Sequence, residues 1–147
     1  MFEKILVAID SSPLAARVLA AGQDLAVKSS STVLVAHIRD VPIQVTMAAG
    51  AGRPGGGGLI PTLEDEEVAQ RLVRDAVQTL RGAGVTATGQ VGPGYGATAR
   101  ELLRVAAEFE PDLIVVGSHG SHVTQLVLGS VAYRIVHMAT CPVLVVR

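Results

Sequence analysis

The chain has 147 residues, 49% of them hydrophobic and 17% charged, which excludes a disordered polymer and supplies one domain's worth of core without disulfide or metal. Twelve Lys and Arg against thirteen Asp and Glu leave a net charge of −1, so no broad basic footprint for nucleic acid is expected. No Trp, two Tyr and two Phe likewise argue against aromatic platforms for single strands.

In chain order, Met1 to Lys4 lead into an apolar run that Asp10 stops, too short for the core of a signal peptide. No apolar stretch approaches the roughly 20 residues of a membrane helix. The single Cys141 cannot form an internal disulfide. A cytoplasmic chain with no membrane partner is the expectation. Five runs read as strands: Lys4–Ile9, Thr32–Ile38, Val85–Val91, Leu113–Gly117 and Pro142–Val146. The first, second and fourth are almost continuously apolar, as strands buried on both faces of a parallel sheet are. The third alternates apolar and polar residues and fits an edge.

Helical periodicity fills the gaps. Leu14, Val18, Ala21 and Leu25 share one face, as do Ala69, Leu72, Val73, Ala76, Val77 and Leu80. Ala99, Leu102, Leu103 and Ala106 repeat the pattern. Ser12 before Pro13 reads as a helix cap, Thr98 to Glu101 as a capping box, and Thr62 with Asp65 as a weaker one. The second of these helices should close near Gly82 in a left-handed turn. The order is β-α-β-loop-α-β-α-β-α-β, an α/β sheet with right-handed crossovers. Ligands of such sheets sit beyond the carboxyl ends of the strands, where strand order reverses.

The 16 glycines are unevenly spread. Six lie between Gly50 and Gly58, within a segment, Met47 to Ile60, that reads as a flexible loop or a lid over a site. Others follow the fourth strand: Gly117-Ser118-His119-Gly120, eight residues, then Gly129-Ser130 at the start of a helix. Glycines let a backbone approach a ligand closely, and a helix start favours an anion. This combination can cradle phosphates, or it is a strand-to-helix turn with an ordinary serine cap. The lysine of a Walker loop is missing, because Lys4 and Lys28 are the only lysines and neither follows these glycines. Nor is there a dinucleotide fingerprint after the first strand, where Asp10-Ser11-Ser12-Pro13 stands. His119 and His122 lack a carboxylate or Cys at ligand spacing, so no protein-only metal site is expected. Cys141 reads as a small buried hydrophobe.

Four segments together resemble the universal stress protein family over essentially the full length, as one domain. They are Lys4 to Ser12, Pro111 to Gly120, Gly129-Ser130-Val131, and Cys141 to Val146. The resemblance implies a three-layer sandwich around a five-stranded parallel sheet of order 3-2-1-4-5, the adenine nucleotide alpha hydrolase-like fold. It also implies an ATP-binding stress-response regulator, with Mg2+ recruited by the phosphates and at most slow hydrolysis. Asp10 would contact the ribose or adenine end with Ala8 and Ile9 nearby, and Ile38 would pair with adenine through its backbone. Val116, Gly117, Gly120, Gly129, Ser130 and Val131 would hold ribose and phosphates, with His119 inside the same glycine turn. The family's motif has nine residues before the final Gly-Ser pair, against eight here, Ser121 to Leu128.

The same resemblance implies a homodimer through the last strand, at Val143, Leu144, Val145 and Val146. The alternative is a dimeric scaffold of the same family without nucleotide. A phosphoryl-accepting receiver would want clustered acids after the first strand, and Asp10 is alone there. A flavin carrier would want aromatics around the ring, and only Tyr95 is placed for that.

Overall fold

The structure, a computed structural model, describes residues 1–39, 64–93, 97–119 and 128–147. The elements follow in the expected order: β1 (Lys4–Ala8), α1 (Ala15–Ser29), β2 (Thr32–Ile38), α2 (Glu66–Gly82), β3 (Thr86–Gly92), α3 (Thr98–Phe109), β4 (Leu113–Gly117), α4 (Ser130–Met138) and β5 (Val143–Val146). All neighbouring strands pair in parallel, in the order β3-β2-β1-β4-β5. Both the fold class and the edge position of β3 are as the sequence implies. The glycine-rich segment 47–60, Tyr95, Gly120 and His122 lie outside the described residues.

Why the central strands are apolar throughout is visible in the two cores. Ile5, Val7, Val33, Val35, Leu113 and Val115 face Val18 of α1 and Val73, Val77 and Leu80 of α2. The alternate residues Leu6, Ala8, Leu34, Ala36, Ile114 and Val116 face Leu102 and Val105 of α3 and Ile135 of α4. Successive strand residues point to opposite faces, so a sheet covered on both sides has no room for polar alternation. Full burial of each Leu, Ile or Val contributes about 1.5–3 kcal/mol.

The helix ends depart from the expectations. Ser12 and Pro13 do not begin α1. The residue preceding the helix is Leu14, with no side-chain cap, and Ser12 turns its hydroxyl to Asp10. The buried face of α1 runs through Leu14, Val18, Gly22 and Ala26, because Gly22 rather than Ala21 sits against Val7. No capping box forms at α3, where Thr98 is already helical and Glu101 pairs with Arg104. At α2 Asp65 is itself the cap, accepting from Glu67 N–H at 2.8 Å, rather than the inner member of a box begun by Thr62, which lies outside the described residues. The left-handed glycine after α2 is Gly84, with φ +81°, two residues beyond Gly82. β1 ends at Ala8 rather than Ile9, β3 spans 86–92 rather than 85–91, and β5 starts at Val143.

β5 forms the open edge of the sheet, paired only to β4. Its residues Val143, Val145 and Val146 are half-buried and Leu144 is exposed. Among the described residues no helix is long and apolar enough to cross a membrane.

Candidate functional site

Sheet order reverses between β1 and β4, which pair directly, Ala8 beside Val116. A cleft of about 340 Å³ opens at their carboxyl ends, within the usual size of a small-molecule site. Ala8, Ile9 and Asp10 line it from β1, Ile38 from β2, Val116, Gly117 and His119 from β4, and Gly129, Ser130 and Val131 from α4. Every described residue that the sequence singles out for a nucleotide is on this wall.

Asp10 is not the unencumbered carboxylate that a Ser12 cap would leave. Its Oδ1 accepts from Ser12 N–H at 3.0 Å and from the Ser12 hydroxyl. Ser12 is buried, so this turn fixes the carboxylate at the cleft mouth. Oδ2 accepts no bond from the described residues.

Opposite Asp10, Gly129 N–H donates to Ser118 O at 2.7 Å, which ties the entry of α4 to the exit of β4. A Cβ at Gly129 would stand 3.2 Å from His119 Cα and 3.3 Å from Ser118 O. The two backbones approach this closely only because no side chain intervenes. Gly129 precedes the helix and Ser130 is its first residue, exposed, so Ser130 is not a capping serine. The free N–H groups of this first turn border the cleft, a setting that favours an anion. The hydroxyl of buried Ser118 lies 2.8 Å from His119 Nδ1. When Ser118 donates, the ring keeps its proton on Nε2, a donor suited to an anionic ligand.

Sequence reasoning missed the far wall. His37, 3% exposed, and Glu64 line the same cleft, with Nε2 and Oε2 2.8 Å apart. Arg39 steadies Glu64 by donating from Nε and Nη2 to its main-chain oxygen at 3.1 and 2.7 Å. Asp10 therefore has a second carboxylate on its cleft, one that no local motif announces because 54 positions separate the two in the chain. A histidine inside an apolar strand was the available signal. Thr98 and Leu102 of α3 complete the floor. Among the described residues no three His, Cys, Asp or Glu side chains cluster as a metal site. Cys141 lies away from the cleft, and partial burial, with Asp112 adding its charge, pushes its thiol pKa up.

The universal stress protein family model matches residues 1–147. A universal stress protein of Bacillus subtilis, YxiE, is 31% identical over 156 aligned positions, covering 100% of both chains. Among solved structures, the universal stress protein of Archaeoglobus fulgidus in complex with dAMP superposes with a TM-score of 0.68 at 25% identity, over 99% of this chain and 98% of that one. A universal stress protein in complex with cAMP gives 0.70 at 20% identity, over 99% and 97%.

Proposed function

The chain belongs to the universal stress protein family, and from that premise we propose that its cleft binds an adenine nucleotide, ATP in the first instance, as a stress-response regulatory module. The observation that carries this reading is the convergence on one cleft of Asp10, the β4 exit at Gly117 and the N-terminal turn of α4. The similarity to a protein solved with dAMP supports the adenine class. The residues present fit the group. Asp10 suits ribose hydroxyls, Ile38 offers a backbone edge to the base, and Gly129, Ser130 and Val131 offer main-chain donors to phosphate. Gly120 belongs to the same set by its place in the motif. Mg2+, where it enters, is held by the phosphates.

A binding and regulatory role fits the cleft better than rapid phosphoryl transfer. Among the described residues lining it there is no Lys or Arg to stabilise a transferring phosphoryl group. Regulation then follows if the nucleotide binds two conformational or assembly states with different affinity. The assembly we propose is a homodimer through the open β5 edge, where Val143, Leu144, Val145 and Val146 leave an apolar ribbon with unpaired backbone groups.

Ligand at 100 times its dissociation constant adds about 2.7 kcal/mol of stability, so millimolar Mg·ATP is expected to raise the melting temperature by several degrees. An unchanged melting curve, with no nucleotide found by mass spectrometry of the freshly purified chain, would sink the reading. For the dimer, Val145→Asp places a charge on the edge and is expected to halve the mass seen by light scattering. A mass unchanged by that substitution refutes the interface.

A further inference from the structure

The β1–β2 ladder stops one rung before the pattern would carry it, and the ring of a buried histidine stands where that rung would be. At the bottom of the pair Thr32 N–H donates to Glu3 O at 2.8 Å, and near the top Ile9 N–H donates to Ala36 O at 2.9 Å. The even-numbered residues of β2 thus bond towards β1, while Arg39 N–H, an odd one, donates to Gly92 O of β3. Continued by one step, the parallel pattern would give Ile38 N–H to Ile9 O. That bond is not made, and His37 Nδ1 meets Ile9 O instead at 2.9 Å.

A carbonyl only accepts, so Nδ1 carries the hydrogen. The other ring nitrogen faces the Glu64 carboxyl at 2.8 Å, and Arg39 holds Glu64 from behind. With a carboxyl partner for Nε2, the contact is made by one proton, on the ring or on the acid. Both ring nitrogens are therefore engaged, and the imidazole is held at its two ends.

We propose that His37 is a positioning residue for base recognition: by capturing the Ile9 carbonyl it withholds that carbonyl from Ile38 N–H, and so leaves the Ile38 backbone edge open in the cleft to pair with the ligand's base. This rests on the nucleotide reading above and goes beyond it by saying what keeps the reading edge open. Glu64 is the orienting partner that holds the ring with Nδ1 towards Ile9 O. The pairing partner is the Watson–Crick edge of a base carrying adjacent donor and acceptor, which adenine presents through its amino group and N1.

The test has one arm without nucleotide and one with it. In hydrogen exchange of the whole chain without ligand, the Ile38 amide is expected to exchange at least about tenfold faster than that of Ala36. In His37→Ala the released Ile9 carbonyl takes Ile38 N–H, and Ile38 becomes protected. In His37→Asn the side-chain amide stands near the former Nδ1 and keeps Ile9 O, so Ile38 stays exposed. In His37→Gln the amide reaches towards Glu64 rather than Ile9, and this variant should follow Ala, which keeps the test open should Ala fail to fold. Ile38 protected like Ala36 in the wild type, or exchange unchanged across the variants, overturns the proposal.

In the second arm, calorimetry compares AMP with its 1-deaza analogue, which keeps the amino group and lacks the N1 acceptor that Ile38 N–H would meet. His37→Ala and His37→Gln are expected to lose about tenfold of the preference for AMP, the value of one hydrogen bond, while His37→Asn retains it. Equal losses for AMP and the 1-deaza analogue would mark His37 as merely structural and overturn the proposal. A wild type that binds neither nucleotide overturns the nucleotide reading, and the exchange arm then still reports separately whether His37 holds Ile38 open.

Discussion

Two aspartates at opposite ends of the sheet show how one residue type serves two ends of a fold. Asp112, before β4, spends both carboxylate oxygens on β1: Oδ2 accepts from Glu3 N–H at 2.7 Å and Oδ1 from Lys4 N–H at 3.2 Å. Its own N–H donates to Lys4 O at 2.9 Å. The amino end of the sheet is closed in this way by groups satisfying one another. Ser31 donates to Phe2 O at 2.6 Å there, and Lys4 donates to Phe109 O at 3.1 Å. Asp10, after β1, spends only Oδ1, on Ser12. Around it the ladder stops, a helix begins and the polar groups face a cleft. Polar groups that pair internally stabilise a structure, whereas those held in place without full pairing are available to a ligand.

Substitutions at the two ends should separate these roles. The largest effect is expected at Asp10. Asp10→Ala removes the carboxylate proposed for the ribose or adenine end, and should weaken nucleotide binding about 10- to 100-fold, at a cost of about 1–2 kcal/mol in the unliganded chain because buried Ser12 loses its acceptor. Binding retained in that variant, by calorimetry, would mean that Asp10 is only a turn residue. Next comes Gly129→Ala. The new methyl would press on His119 Cα and Ser118 O, spreading the phosphate side of the cleft. A cost of about 1–3 kcal/mol in stability and an affinity reduced about tenfold are expected, and a crystal structure with the β4–α4 junction unmoved would contradict the argument. The smallest effect on function belongs to Asp112→Ala. It should cost about 1–2 kcal/mol in denaturant unfolding and leave affinity within error of the wild type. A lost affinity there would erase the distinction between the two ends.

Much of the fold was legible because it rests on patterns that neighbours in the chain can express. Continuous apolar runs at Ile5 to Ala8 and Leu113 to Val116 announce strands covered on both faces, and the alternation at Val85 to Thr88 announces an edge. The helix starts were not legible in the same way. Ser12 carries a capping residue's signature, but its hydroxyl has a nearer acceptor in Asp10. Thr98 is drawn into the first turn of α3 instead of standing before it. Local signatures state what a residue can do, and the competing partner decides what it does.

The site divides along the same line. Asp10, Gly117, His119 and Gly129 stand in recognisable local contexts at the ends of strands, so the sequence points to their side of the cleft. His37 and Glu64 do not, because their pairing spans a gap of 27 positions and depends on the return of the chain beside β2. A histidine in an otherwise apolar strand is ambiguous until its partners are seen. Here those partners are a main-chain carbonyl beyond the end of β1 and the carboxyl group of Glu64, a residue whose main-chain oxygen Arg39 holds.

The measurement that bears most directly on the central claim is calorimetric titration of the nucleotide-free chain with AMP and with Mg·ATP. The account predicts saturable binding of one adenine nucleotide per chain, weakened about 10- to 100-fold in Asp10→Ala and preserved in Asp112→Ala. No heat of binding from either nucleotide at millimolar concentration, or equal binding by the wild type and Asp10→Ala, would contradict it.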